Sequence, residues 1–191
     1  MRSSAGTGGT APRILIIGAN GQLGTELAVA LAERYGNANV VTSDMVPRGR
    51  NAQIRHETLD VTDRGQLREI IERHGITQIY HLAAALSAAA EQSPTWAWQL
   101  NMNGLLNVLE AARQHGLERI FWPSSIAAFG LTTPRDATPQ RTVMEPKTVY
   151  GISKLAAHAI LAPVLGTPSL RLVCHEGEHE QLLAELALHK L

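Results

Sequence analysis

The chain has 191 residues, with 17 Lys and Arg balancing 17 Asp and Glu for a formal net charge of zero. That balance excludes the basic footprint of a nucleic-acid or anionic-membrane partner, and no apolar run reaches the roughly 20 residues that span a bilayer. One cysteine excludes an intramolecular disulfide and suits a reducing compartment, so a cytoplasmic location is expected, with a mitochondrial one as the alternative. The length suits a single domain with an adequate core.

Residues 1–12 are rich in Gly, Ser and Thr and read as a flexible leader, with too little length and arginine for a transit peptide. Ile14-Leu15-Ile16-Ile17 is the first expected strand, and Gly18-Ala19-Asn20-Gly21-Gln22-Leu23-Gly24 follows it into an apolar-periodic helix at 22–34. Strand, glycine turn and helix form the context of a dinucleotide site. One glycine permits the turn, one the approach of a pyrophosphate and one close helix–strand packing. The helix N-terminus offers free N–H groups to phosphate. A second strand at 39–43 ends at Asp44, 26 residues past Gly18. A carboxylate there accepts both ribose hydroxyls of NAD and repels a 2′-phosphate, so NAD is expected over NADP, although Arg48 and Arg50 lie close by.

A strand at 54–59 leads to a helix at 63–74 bounded by Asp63 and Gly75, then a strand at 78–82 and a long helix at 95–115 ending at Gly116. The strand at 119–123 runs into Ser124-Ser125, at the carboxyl end of a strand, where ligands sit in such sheets. A Thr- and Pro-rich loop follows at 128–146, read equally as an active-site lid or an ordinary surface loop. The helix expected at 147–161 carries Tyr150-Gly151-Ile152-Ser153-Lys154. Tyr150 and Lys154, four residues apart, share one helix face. A phenol of ordinary pKa, about 10, is a poor base at neutral pH, and an adjacent ammonium favours its phenolate. Ser125, 25 residues earlier, is placed to hold a substrate oxygen while Tyr150 exchanges its proton. Strand–helix alternation throughout means an α/β fold with a doubly wound parallel sheet.

Taken together, the glycine turn, His81-Leu82-Ala83-Ala84, Asn101-Met102-Asn103-Gly104 with Asn107, Ser124-Ser125 and Tyr150/Lys154 resemble the extended short-chain dehydrogenase/reductases, the NAD-dependent epimerase/dehydratase family. Leu86-Ser87-Ala88, Pro123-Ser124-Ser125-Ile126-Ala127-Ala128-Phe129-Gly130 and Thr148-Val149-Tyr150 resemble its short-chain-type L-threonine 3-dehydrogenase branch most closely, over roughly residues 13–157. The resemblance implies a Rossmann fold at 13–160. Gly18, Gly21, Gln22, Leu23 and Gly24 would wrap the pyrophosphate, and Asp44 would hold the adenosine ribose. Asp60 and Val61 would border the adenine, and Leu82, Ala83 and Ala84 would line the cofactor channel, with Asn101 nearby. Ser87, Ser124 and Tyr150 would touch L-threonine, and Ser125, Tyr150 and Lys154 would transfer the proton. A homodimer through the helices at 95–115 and 147–161 is likewise implied. A nucleotide-sugar epimerase or reductase and a non-catalytic NAD-binding protein stand as alternatives.

Beyond about Ala157 the resemblance fades. Pro163 and Pro168 are expected to shorten the preceding helix. Residues 169–173 match the family's next strand, but Cys174-His175-Glu176 replaces the family's Tyr-Pro-Gly turn, and residues 161–191 read as a divergent tail with most of a substrate lobe absent. Cys174 carries no expected role. His175-Glu176-Gly177-Glu178-His179 formally matches a zinc-peptidase pattern. Gly177 weakens that helix, and Glu185 stands where a third histidine would be needed, so no metal is expected. Leu182, Leu183 and Leu186 suggest a short amphipathic helix.

Overall fold

The structure is a computed structural model that describes residues 11–139 and 141–165. Readings made on 166–191, including the 169–173 strand, Cys174 and the His175/His179 pattern, and on the leader through residue 10, lie outside the described residues.

Five parallel strands form one sheet in the order β3-β2-β1-β4-β5. They are β1 (Ile14–Ile17), β2 (Val40–Asp44), β3 (Arg55–Thr58), β4 (Gln78–His81) and β5 (Arg119–Phe121). β1 and β4 lie inside the sheet and are buried along their whole length, as parallel strands covered on both faces must be. Strand alternation splits β1 between two cores. Ile14 and Ile16 pack with Leu27, Ala28 and Leu31 of helix α1 (Gln22–Tyr35). Leu15 and Ile17 pack on the opposite face with Leu67, Ile70 and Ile71 of α2 (Arg64–His74) and with Val108 and Ala111 further along the chain. Each such side chain, fully buried, contributes about 1.5–3 kcal/mol. β5 stops two residues short of its expected end, because Pro123 has no N–H to give a ladder.

The expected boundaries of α2 hold. Asp63 Oδ1 accepts from the backbone N–H of Gly65 and Gln66 at 2.8 and 3.1 Å, and Gly75 closes the helix. Three features depart from the sequence reading. The helix expected at 95–115 is α4 (Pro94–Trp98), a π-helical turn at Gln99–Asn103, and α5 (Gly104–His115). Asn101 and Met102, both within this wider turn, are buried. An alanine-rich segment forms an unexpected short helix, α3 (Ser87–Gln92), because alanine favours helix without leaving an apolar periodicity to read. The last described helix, α6 (Val149–Leu165), continues past Pro163, whose fixed φ is compatible with helix even though it removes one donor. α6 packs on α5 through Leu105, Leu109, Ala157 and Leu161.

The segment between β5 and α6 begins with a 3₁₀ turn, Ile126–Ala128, and then leaves as a loop closed at its neck. At Gly130 a Cβ would lie 2.2 Å from the Glu145 carbonyl oxygen, so the two ends of the loop are in direct backbone contact. Thr133 is buried there, its hydroxyl donating to Val143 O at 2.6 Å and accepting from Gly130 N at 3.0 Å. Thr132 also bonds the Glu145 carboxylate.

His81 ends β4 and is 1% exposed, and neither ring nitrogen has a partner among the described residues. Burial, with a smaller contribution from the Lys154 charge, lowers its pKa from the ordinary 6.5 to about 3. In the unfolded chain this imidazole takes a proton below pH 6.5, whereas the folded protein refuses it until about pH 3. Its stabilising neutrality is therefore complete above pH 6.5 and is lost progressively as the pH falls toward 3. Thermal melts at pH 7.5 and 4.5 test this. The melting temperature of His81→Leu should gain on that of the native chain as the medium is acidified, and equal pH slopes would contradict the assignment.

Candidate active site

The glycine turn is built by backbone contacts that side chains would forbid. Gly18 has φ +82°, and a Cβ there would fall 2.6 Å from Ala83 N. The turn after β1 thus lies directly on the exit of β4, which places Leu82, Ala83 and Ala84 beside it. A Cβ on Gly24 would meet Gly18 O at 2.5 Å, so α1 packs closely under the turn. Gly21 differs, because a Cβ there meets only Gly18 O, at 3.3 Å. Its remaining side is open, Gly21 and Gln22 are exposed, and no side chain caps the first turn of α1. Uncapped N–H groups over a cradle that a larger residue would fill suit a pyrophosphate.

Asp44, expected at the adenosine end, stands beside the glycine turn. Its Oδ2 accepts from Asn20 N at 3.1 Å and its Oδ1 from Val46 N at 3.3 Å, which ties the carboxylate to the glycine turn. The Asn20 amide donates to Arg48 O at 3.0 Å, and His56 Nε2 donates to Val46 O at 2.9 Å, so the loop after Asp44 is held from both sides. Arg48 and Arg50 point no contact toward Asp44 and are exposed. These residues fit NAD: a fixed carboxylate for the ribose, free N–H groups for the phosphates, and small residues along the β4 exit.

Several expected site residues make contacts within the protein. The Val61 side chain is 2% exposed and turned into the core, because Gly104 approaches it closely. Only its backbone faces the loop, and its carbonyl accepts from Asn107. Asp60 Oδ1 accepts from the Thr62 N–H and hydroxyl at 2.9 and 2.7 Å. Asn101, expected beside the cofactor, spends its whole amide within the protein. Its Oδ1 accepts from Ala85 N at 2.8 Å, and its Nδ2 donates to Ala85 O and Ser153 Oγ at 3.2 Å each. It therefore joins the β4 exit to α6, a direction of its side chain that the π-helical turn sets. Ser87 is exposed at the start of α3.

The residues expected to transfer the proton gather where α6 meets the end of β5. Tyr150 is buried at 9% exposure against Ala85, Ala90 and Ala97. Lys154, one turn later, is 3% exposed with its ammonium 5.5 Å from the Tyr150 ring centroid. It donates to Pro123 O at 2.7 Å, and burial lowers its pKa from 10.5 to about 8. Ser125 lies two residues past that carbonyl, and its hydroxyl accepts from Ala127 N at 3.2 Å, capping the 3₁₀ turn. The Ser124 hydroxyl, expected to meet substrate, is instead 2.6 Å from His158 Nε2.

Sequence reasoning missed Gly151. A Cβ there would stand 2.1 Å from Ala127 O and 2.8 Å from Pro146 Cβ. This glycine lets α6 seat Tyr150 against the turn that carries Ser125. A glycine in the first turn of a helix, unfavourable by about 1 kcal/mol, was the available sign of a close approach.

Comparison with known proteins places this architecture. Residues 14–183 match the model of the NAD dependent epimerase/dehydratase family. An "uncharacterized epimerase/dehydratase" of Staphylococcus epidermidis is 46% identical over 151 residues, which are 78% of this chain and 47% of that protein. Among solved structures, the GalE-like L-threonine dehydrogenase of Cupriavidus necator, in its holo form, superposes with a TM-score of 0.80 at 65% identity, covering 82% of this chain and 51% of that one. The L-threonine dehydrogenase of Clostridium difficile gives 0.78 at 41% identity, over 82% and 50%. The chain thus spans about half the length of the relatives it matches.

Proposed function

Because the chain belongs to the NAD-dependent epimerase/dehydratase family, we propose that it binds NAD and oxidises L-threonine at its side-chain hydroxyl to 2-amino-3-oxobutanoate. The observation that carries this reading is the buried Tyr150/Lys154 pair seated at the β5 exit, with the β4 exit between it and the glycine turn. The 65% identity to a protein named L-threonine dehydrogenase supports the choice of substrate.

The bound NAD supplies the hydride acceptor, and the protein supplies binding, orientation and a base. Gly18, Gly21, Gln22, Leu23 and Gly24 hold the pyrophosphate, and Asp44 the ribose. Ser125 orients the substrate oxygen. Tyr150 removes the hydroxyl proton, and Lys154 stabilises the resulting phenolate by its charge. Alanines around Tyr150 keep bulk water from the phenol. The working unit runs over 13–160. Leu106 on α5 and Ile152 on α6, each 43% exposed, support pairing of two copies through these helices. Among the described residues no helix is long and apolar enough to cross a membrane.

The test is an NAD titration of the purified chain followed by NADH absorbance with L-threonine, with a nucleotide sugar as the competing substrate. Turnover of threonine alone is expected. NAD binding without turnover would remove the substrate assignment, and failure to bind NAD would remove the whole reading. Asp44→Ala should weaken NAD by about tenfold to a hundredfold, the worth of a charged hydrogen bond, and narrow the preference over NADP.

A further inference from the structure

Lys154 is a buried cation, 3% exposed, with no counter-ion among the described residues. The titratable groups around it are Tyr150 and His158 on its own helix and His81 at the end of β4, and burial favours the neutral form of both histidines. An ammonium removed from water needs compensation. One hydrogen bond, to Pro123 O, supplies part of it. The other close contact is aromatic: Nζ stands 4.1 Å from the Trp122 ring centroid, over its face. That face is the negative end of the ring quadrupole, and indole is the strongest aromatic partner for a cation.

Trp122 is itself held. The His158 ring meets it edge-on, with centroids 6.0 Å apart and planes at 84°. His158 is anchored in turn by Ser124, at 2.6 Å. Trp122, Pro123 and Ser124 are thus each fastened to one of two α6 residues a helical turn apart, Lys154 and His158.

We propose that Trp122 is a positioning residue for Lys154: its ring face takes the place of a counter-ion and keeps the ammonium charged beside Tyr150, while His158, braced on Ser124, fixes the ring. The consequence for catalysis rests on reading Tyr150 and Lys154 as the proton-transfer pair; the seat itself does not.

The sign of one measurement separates this from plain packing. If Trp122 only excluded water, a smaller side chain would let water in and ease protonation of Lys154. If its face stabilises the charge, an apolar side chain without a face makes protonation harder. The chain has three lysines, Lys147, Lys154 and Lys190, so the side-chain nitrogens can be titrated by NMR on ¹⁵N-lysine-labelled protein, with Lys154→Met assigning the signal. The native midpoint should lie at about 8. Trp122→Leu should lower it by about one pH unit, and Trp122→Phe, with a weaker face, by less. His158→Leu should lower it partway, whereas His158→Gln, whose amide can still reach Ser124, should stay near the native value. An unchanged or raised midpoint in the Trp122 variants overturns the proposal, and if Trp122→Leu does not fold, the sign in Trp122→Phe decides alone. Because the amine is read without cofactor or turnover, a chain that fails to oxidise threonine still tests the seat.

Discussion

Tyr150→Phe should reduce threonine-dependent NADH formation by about a thousandfold, within the 10²–10⁴ range of a lost general base, while NAD affinity changes little. The substitution removes one oxygen and leaves the ring packed against Ala85, Ala90 and Ala97. The fold around it should therefore survive, and the melting temperature should stay within a degree or two. Lys154, buried and set over the Trp122 ring, would remain a cation with no phenolate to stabilise. The pH profile carries a second check. With Lys154 titrating at about 8, the native rate should decline above that pH as the ammonium is lost. The residual rate of Tyr150→Phe should show no such decline. A variant that keeps more than a tenth of the native rate would remove Tyr150 from the role of base.

Gly151→Ala should damage both stability and rate, although alanine is the better helix former. The helical gain is about 1 kcal/mol. Against it stands a Cβ placed 2.1 Å from Ala127 O and 2.8 Å from Pro146 Cβ. Neither neighbour is a flexible side chain that can swing away, so α6 must withdraw by on the order of 1 Å. Overpacking of this kind costs roughly 1–3 kcal/mol or more, and a misplacement of that size at a reacting centre costs about a hundredfold in rate. The expected result is a melting temperature lower by several degrees and a rate lower by about two orders of magnitude. Leu131→Ala, at an exposed position outside both helices, serves as the control and should be nearly silent. A Gly151→Ala chain that melts higher than native would mean that the turn at 126–128 yields, and that the close contact does not govern the site.

What could be read from the amino acids follows the range of the interaction concerned. The glycine turn, β1 and the Asp63 and Gly75 ends of α2 were legible because each depends on residues a few places apart. The Tyr150/Lys154 face was legible for the same reason. The π-helical turn was not, since one extra residue per turn leaves no mark on an apolar pattern already irregular around Trp96 and Trp98. At Asn101, within that same turn, the residue's identity was visible, but the direction of its amide was not. Gly151 and Trp122 act through contacts with residues 24 and 32 positions away, so their roles appear only once α6 is laid against the β5 exit. His158 belongs with them, as a histidine two turns past Tyr150 reads as an ordinary helix residue until Ser124 is found beside it.

The closed neck at Gly130 and Glu145 fixes where the segment beyond it begins and ends, whatever its length. Since the two ends already touch and the Thr133 hydroxyl ties Gly130 to Val143, a longer chain inserted between Thr133 and Val143 should leave the neck, and with it Tyr150, in place. Doubling such a span costs only about 0.6 kcal/mol of closure entropy. It is the natural place to graft an affinity peptide, a fluorophore or a recognition sequence onto this scaffold.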